Sequence, residues 1–348
     1  MYPKSDGVEF MFDLFTTQSA WILIILGIAA GFALIIFGGD FFVDSAVWLA
    51  EITRIPKMII GATVVSIGTT LPEIFVSFTA AAQGQTAMAV GNAAGSIFCN
   101  LALILGLTLA FKSAFIDKKE FLPKFIIFAA SSVLLLIFAL NRNIGAAESS
   151  VLIGVFLLFM FINVLGAVKR MKEKDQLSLT SEQTDTTEQQ KKKKPWIMIV
   201  LLIAGAAGIA AGANLLIDSV SAAAAKLSVS EQIISLTVVA LGTSLPELIT
   251  ALTSLKKSNA EISMGNILGA NILNATLITG GSGLIAGGLT VAAGDFLPLI
   301  LSVGLAMAAA AVLIIPVLIK GRTYRAQGIV MMSLYLGYTA FMIMSIVS

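Results

Sequence analysis

Long apolar runs separated by short polar segments cover nearly the whole chain. Ten of them are long enough to cross the hydrocarbon core of a bilayer as a helix, which takes about 20 residues. They lie near residues 20–49, 56–82, 86–111, 122–140, 146–168, 196–225, 230–255, 260–288, 294–319 and 324–347. None shows the short alternating pattern of a membrane β-strand. The pattern therefore predicts an all-α polytopic membrane protein with ten transmembrane helices in contact with lipid.

The polar stretch 169–195 divides these runs into two groups of five. It predicts a first five-helix repeat over 1–168, a polar linker over 169–195 and a second five-helix repeat over 196–348. The two halves share sequence at a constant offset of 174, and eight of eleven positions are identical between 63–73 and 237–247. Because five is an odd number of crossings, the second repeat enters the membrane from the opposite side. We therefore expect two inverted repeats.

The basic residues of the loops predict the orientation. With the linker in the cytoplasm, 19 of the 22 Lys and Arg residues lie inside. Only Lys4, Arg142 and Lys226 lie outside. Cytoplasmic loops of membrane proteins carry such an excess of Lys and Arg. We therefore expect the linker inside and both termini outside.

Composition narrows the chemistry of the chain. Apolar residues make up 57% of it and charged residues 12%, and the net charge of +2 lies mostly in loops. Histidine is absent and Cys99 is the single cysteine, which excludes an imidazole proton relay and an intramolecular disulfide. Any bound cation must therefore use oxygen donors. We expect no cofactor and no nucleic-acid partner.

Each repeated motif buries one glutamate, Glu73 or Glu247, in an apolar run. A charged side chain at that depth costs on the order of 3 kcal/mol or more, so two at matched positions favour a cation site. In a helix, residues three, four and seven positions before a glutamate share its face. Pro72 and Pro246 lack an N–H and predict a broken helix that frees a backbone carbonyl. The residues that add oxygen near the carboxylates are Ser66, Thr69 and Thr70 in the first copy and Thr243 and Ser244 in the second.

Polar side chains also follow the next helix of each repeat. Asn92, Ser96 and Asn100 are spaced by four in the first copy, and Asn266, Ala270 and Asn274 match them in the second. They either support the site or hydrogen-bond between packed helices. For Asn100 and Asn274 we favour the site, and for Asn92 and Asn266 both readings stay open. A similar choice applies to three aspartates, which either attract cations at a vestibule or pair with loop bases, the reading we favour: Asp40, Asp44 and Asp218.

The paired Gly-Thr-(Thr/Ser)-Leu-Pro-Glu motifs resemble those of the cation/calcium antiporter superfamily, and of its prokaryotic sodium/calcium exchanger branch in particular. The resemblance implies a Ca²⁺ site made by Glu73 and Glu247 with Thr69 and Thr243, in a prokaryotic cytoplasmic membrane. It also implies flanking Na⁺ sites from Ser66, Thr70, Ser96, Ala240, Ser244 and positions 270 and 274. This chain has Ala270 where a hydroxyl is expected and Asn274 where aspartate is common.

The expected function is exchange of Na⁺ for Ca²⁺ by alternating access, which is transport and not enzymatic chemistry. The serious alternative is an exchanger of the same fold that couples to protons or carries another divalent cation, because two glutamates can release protons as a cation binds. An ion channel and an intramembrane enzyme are weaker alternatives, since the sequence suggests neither a ring of charges nor a partner nucleophile. One chain holds both halves of the site, so a monomer can suffice.

Overall fold

The computed structural model describes residues 21–53, 55–178, 194–226, 244–291 and 293–347, and these are mostly helical. In chain order the helices are α1 Trp21–Thr53, α2 Lys57–Thr69, α3 Leu71–Ala82, α4 Thr86–Phe111, α5 Lys118–Ala139, α6 Ala146–Ser178, α7 Pro195–Lys226, α8 Leu245–Lys256, α9 260–286, α10 Ala293–Lys320 and α11 Arg325–Val347. Two short strands, β1 Asn143–Ile144 and β2 Leu289–Thr290, pair antiparallel.

Several of these helices match the dimensions of a membrane span. Among the described residues, six are long and apolar enough to cross a bilayer, namely α1, α4, α5, α6, α7 and α10. The bent pair α2 and α3 makes a seventh if it is one span. The chain is thus an integral membrane protein. The predicted span 230–255 is described only from residue 244 onward, so the count of ten spans stays a prediction.

The helix over 57–82 breaks at Thr70, with a bend of 50° between α2 and α3. Thr70 has φ −85° and ψ 0°, outside helical values, and Pro72 follows in the first turn of α3, where a missing N–H costs nothing. Ser244 has nearly the same backbone angles, φ −91° and ψ 6°, and precedes α8 with Pro246. Because the helix breaks at Thr70, the residues Ser66, Thr69 and Thr70 do not share one continuous helix face with Glu73. The predicted common face is therefore wrong.

Two pairs of helices approach at backbone distance through glycines. A Cβ on Gly38 of α1 would lie 2.9 Å from the carbonyl oxygen of Gly205 in α7, and one on Gly205 would lie 2.8 Å from that of Gly38. Consequently α1 and α7 pack mainly against each other. In the bundle, a Cβ on Gly269 of α9 would lie 2.5 Å from the carbonyl oxygen of Ala62 in α2. Every residue of α9 from Ile262 to Leu273 is buried, so this helix lies at the centre of the core.

Local features recur in the two halves. Helix α4 contains a π-helical segment over Cys99–Leu105, and α9 contains one over Asn274–Ile278. The loop after α4 bridges to the loop before α11 through Phe115 and Arg322. The loop after α9 pairs, through β2, with the loop between α5 and α6. None of these features was predicted from the sequence, because π-helical turns and two-residue strands leave no periodic pattern.

Candidate functional site

Both glutamates lie at the start of a helix in the protein core. Glu73 belongs to the first turn of α3 and Glu247 to the first turn of α8. Each is fully buried, with 0% of its surface exposed. The first turn of a helix carries unpaired N–H groups and a partial positive charge, which stabilise a carboxylate there. The first turns of α3 and α8 therefore place the two acidic groups near each other in the core.

The carboxylates have few protein partners. Thr70 Oγ1 donates to Glu247 Oε1 at 3.1 Å, which links the first half of the chain to the second. The other oxygen of Glu247 and both oxygens of Glu73 have no hydrogen-bond partner in the part of the chain that the structure describes. The two groups are close enough to repel each other. Three carboxylate oxygens are thus available to a ligand.

No Lys or Arg of the described residues forms a salt bridge with Glu73 or Glu247. An ionised carboxylate that is buried without a counter-charge is strongly unfavourable, and two that repel are more so. A positive charge between them would remove both penalties. The site therefore favours a cation, and carboxylate, hydroxyl and carbonyl oxygens are the donors that Ca²⁺ and other hard cations prefer.

Three of the predicted hydroxyl groups, on Ser66, Thr69 and Ser244, are buried in the core. Thr69 Oγ1 donates to Asn266 Oδ1 at 3.1 Å, and Ser66 Oγ donates to the carbonyl of Thr63 at 3.1 Å. Ser244 immediately precedes α8 and is 1% exposed, and its hydroxyl has no partner among the described residues. Thr243 and Ala240, which the sequence also suggested, lie outside the described residues.

The predicted polar positions of α4 and α9 are buried as well. Asn100 is 0% exposed, and neither its amide oxygen nor its nitrogen has a partner in the described ranges. Asn274 donates from Nδ2 to the carbonyl of Ala270 at 3.0 Å, and its Oδ1 has no partner there. Ser96 is 3% exposed. These groups supply oxygens deep inside α4 and α9.

One contact near the site was not predicted. Asn92 Nδ2 donates to Ser77 Oγ at 2.9 Å and to the backbone carbonyl of Glu73 at 3.4 Å. Ser77 in turn donates to the carbonyl of Ala89 on α4 at 3.3 Å. These bonds tie the first turns of α3 to α4. The position of Ser77, four residues after Glu73 and hence on the same helix face, was a signal that could have identified it.

Two of the predicted loop pairings are confirmed at one end of α1. Lys257, just after α8, lies 3.2 Å from Asp40 Oδ1 and 2.9 Å from Asp44 Oδ1. Its ammonium also donates to the backbone carbonyl of Asp40 at 3.0 Å. These aspartates therefore pair with a loop base, as expected. The contact joins α1 to the bundle at the end that carries the basic loops.

Comparisons of this chain with known proteins agree on one family. A family model described as "Sodium/calcium exchanger protein" matches residues 23–165 and 197–344. The putative antiporter CaxA of Alkalimonas amylolytica is 33% identical over 266 residues, which are 76% of this chain and 82% of CaxA. The sodium/calcium exchanger MaX1 of Methanosarcina acetivorans is 26% identical over 337 residues, 88% of this chain and 95% of MaX1.

A solved structure supports the same relation. The sodium-calcium exchanger NCX_Mj, soaked with Na⁺ and Sr²⁺, superposes on this chain with a TM-score of 0.74 at 26% sequence identity. The match covers 92% of this chain and 99% of that chain. The likeness therefore extends over most of this chain.

Proposed function

Because the chain belongs to the sodium/calcium exchanger family, we propose that it exchanges Na⁺ for Ca²⁺ across the cytoplasmic membrane by alternating access. The observation that carries the proposal is the pair Glu73 and Glu247, both 0% exposed and both without a basic partner among the described residues. Such a pair needs cations to be stable in a membrane core. The names of MaX1 and NCX_Mj support Na⁺ and Ca²⁺ as those cations.

The proposed ligands follow from the donors near the pair. Glu73 and Glu247 bind Ca²⁺ together with the Thr69 and Thr243 oxygens. Calcium takes six to eight oxygens, and the family resemblance extends the site to Na⁺ positions in the same cluster. The residues we assign to the Na⁺ positions are Ser66, Thr70, Ser96, Asn100, Ala240, Ser244 and Asn274.

Charge explains why such a site exchanges ions and does not leak them. Two ionised glutamates balance one Ca²⁺, so the loaded carrier is neutral at the site. The empty site has a charge of −2, and its passage through the hydrocarbon region is unfavourable. The carrier can therefore return to the other side of the membrane only with another cation bound. Exchange follows from the electrostatics of the pair, with Na⁺ as the returning ion.

We propose further that the chain forms two inverted five-helix repeats, over 1–168 and 196–348, joined by a cytoplasmic linker over 169–195. The loop pairings support this arrangement, because Phe115 and Leu289 are separated by the repeat offset of 174. Each of them pairs with the loop that connects the last two helices of the other half. A two-fold relation in the membrane plane exchanges these two contacts. With the linker inside, both termini lie outside.

The alternative is an exchanger coupled to protons. Ala270 and Asn274 favour it. Compared with the family pattern of a hydroxyl at position 270 and an aspartate at 274, this chain offers Na⁺ one oxygen and one charge fewer. Two repelling carboxylates without partners can also share or release protons as a divalent cation binds. The two functions differ in whether a Na⁺ gradient or a proton gradient drives the transport of Ca²⁺.

The deciding experiment is uptake of radioactive Ca²⁺ into proteoliposomes loaded with Na⁺. Sodium-free vesicles, vesicles with a pH gradient, and the Glu73→Gln and Glu247→Gln variants are measured beside them. We expect uptake that requires internal Na⁺ and disappears in both variants. Uptake that ignores Na⁺ and follows the pH gradient would establish the alternative, and no uptake under either gradient would reject both.

A further inference from the structure

A buried hydrogen bond orients one hydroxyl of the site. Thr69 Oγ1 lies 3.1 Å from Asn266 Oδ1, and the two residues are 1% and 0% exposed. An amide oxygen only accepts hydrogen bonds, whereas a threonine hydroxyl has one proton and two lone pairs. The hydroxyl proton of Thr69 therefore points at Asn266. Two other acceptors lie near it in the described residues, the carbonyl of Ser66 at the longer distance of 3.4 Å and the carboxylate of Glu247.

This bond leaves the lone pairs of Thr69 free on the side away from Asn266. A hydroxyl binds a cation through its lone pairs, and a proton that points at the ion opposes binding. We propose that Asn266 is a positioning residue, which accepts the proton of Thr69 so that the hydroxyl oxygen faces the transported cation. The inference rests on the proposed function, because it assumes that Ca²⁺ binds beside Thr69. Partners of this kind orient the ligands of many metal sites.

The backbone around Asn266 is fixed, as a positioning role requires. A Cβ on Gly61 of α2 would lie 3.1 Å from the backbone nitrogen of Asn266. A Cβ on Gly265 would contact the carbonyl oxygen of Met58, and one on Gly269 that of Ala62. Helices α2 and α9 therefore touch along their backbones on both sides of this residue. The distance between Thr69 and Asn266 is set by close packing.

Packing alone explains Asn266 poorly. Its Nδ2 is buried and has no hydrogen-bond partner in the described part of the chain. A buried donor without a partner is unfavourable, and a leucine, whose side chain has the same branched shape, would avoid that penalty. The useful atom of Asn266 is therefore its oxygen. The matched residue of the first half, Asn92, uses its nitrogen instead and donates to Ser77 and to the Glu73 carbonyl.

The test is a double-mutant cycle on Ca²⁺ binding to the purified full-length protein, measured by equilibrium dialysis without Na⁺. The variants are Asn266→Leu, Thr69→Val and both together, with Asn266→Ala as a second truncation in case the leucine variant does not fold. Loss of one hydrogen bond predicts about 3- to 10-fold weaker binding for each single variant. The double variant should bind no more than about 1.5-fold more weakly than Thr69→Val, because the two residues act through one oxygen.

Asn163→Leu is the packing control, since Asn163 is a buried asparagine of α6 whose amide nitrogen donates to the Phe159 carbonyl of its own helix. Its affinity should be unchanged. Independent, multiplying losses for Asn266 and Thr69, or an equal loss in Asn163→Leu, would overturn the positioning role and leave the exchange function intact. Absence of Ca²⁺ binding to the unaltered protein would overturn both. Normal binding without Na⁺-driven uptake would reject only the coupling, and the cycle would still decide the role of Asn266.

Discussion

The Thr70 hydroxyl donates a hydrogen bond to a carboxylate of the site, with 3.1 Å between Thr70 Oγ1 and Glu247 Oε1. It also joins the two halves of the chain at the point where α2 ends. Thr70→Val keeps the shape of the side chain and removes the hydrogen bond. The expected result is an apparent Na⁺ affinity reduced about 3- to 10-fold in the uptake assay.

Thr108→Val is the matched control for that substitution. Thr108 is a buried threonine whose hydroxyl donates to a carbonyl of its own helix, at Leu105, 2.8 Å away. It lies in α4 beyond the π-helical segment. If both variants lower the Na⁺ affinity equally, the effect comes from general destabilisation and Thr70 has no part in ion binding.

Contacts between helices determine where these residues lie. The contact of α9 with α2 depends on Gly265 and Gly269, whose added Cβ atoms would meet backbone oxygens of Met58 and Ala62. Backbone cannot yield as a flexible side chain does. Gly269→Ala should therefore separate α9 from α2 and lower both the melting temperature and Ca²⁺ binding. Gly154→Ala in α6, where no heavy atom of the described neighbours lies within 4 Å, should change neither. Equal behaviour of the two variants would contradict this account.

The ion pair of Lys257 with Asp40 and Asp44 suggests how α1 is held against the bundle, at the end where the basic loops lie. At the repeat offset of 174, Gln83 stands where Lys257 stands in the second half. The other end of the bundle therefore lacks this charge. Lys257→Gln makes the two ends alike, and we expect it to shift the population toward the state that is open on the cytoplasmic side. An exposed ion pair supports a shift of about two- to five-fold.

A cysteine at Thr253 can report this shift, because Thr253 faces Gly39 of α1. In a Cys99→Ser background, an impermeant thiol reagent on the cytoplasmic side should modify Thr253→Cys faster when Lys257 is replaced. Lys256→Gln removes a neighbouring exposed lysine and serves as the charge control. Unchanged labelling in Lys257→Gln, or equal acceleration in both, would show that the ion pair does not hold α1.

Some elements of the fold were predictable from the sequence and others were not. The apolar runs predicted α4 at the residues where it lies, 86–111, because a membrane helix has a length fixed by the bilayer. Proline and glycine chemistry predicted the break near Thr70. The partners across the site were not predictable, since the choice of Asn266 for Thr69 and of Lys257 for Asp44 depends on how α9 and α8 pack. Periodicity describes one helix at a time and contains no information on that packing.

For the whole molecule, the orientation of the repeats is open to a direct test. Lys119 and Asn141 are exposed at opposite ends of α5. Single cysteines at these positions, in the Cys99→Ser background, should react with an impermeant reagent from opposite sides of the membrane. We expect Lys119→Cys to react only in inside-out vesicles and Asn141→Cys only in right-side-out ones. The reverse pattern would invert the topology, with the linker over 169–195 outside.

The charge of the whole carrier determines how it responds to membrane potential. The site has two carboxylates, and Ala270 and Asn274 withhold an oxygen and a charge from Na⁺. Two Na⁺ would neutralise the pair as one Ca²⁺ does, so both loaded forms would cross uncharged. We therefore predict exchange of two Na⁺ for one Ca²⁺ that membrane potential does not affect.

The measurement is the steady-state Ca²⁺ ratio across proteoliposomes with equal Na⁺ on both sides, at potentials set by a K⁺ gradient and valinomycin. Glu73→Gln vesicles correct for leakage. Exchange of three Na⁺ moves one net charge, worth about 2.3 kcal/mol per 100 mV, which would change the ratio about 50-fold. A constant ratio fits the neutral carrier. A 50-fold change would mean that a third Na⁺ binds without the oxygen at position 270 or the charge at 274, and that backbone or water oxygens replace them.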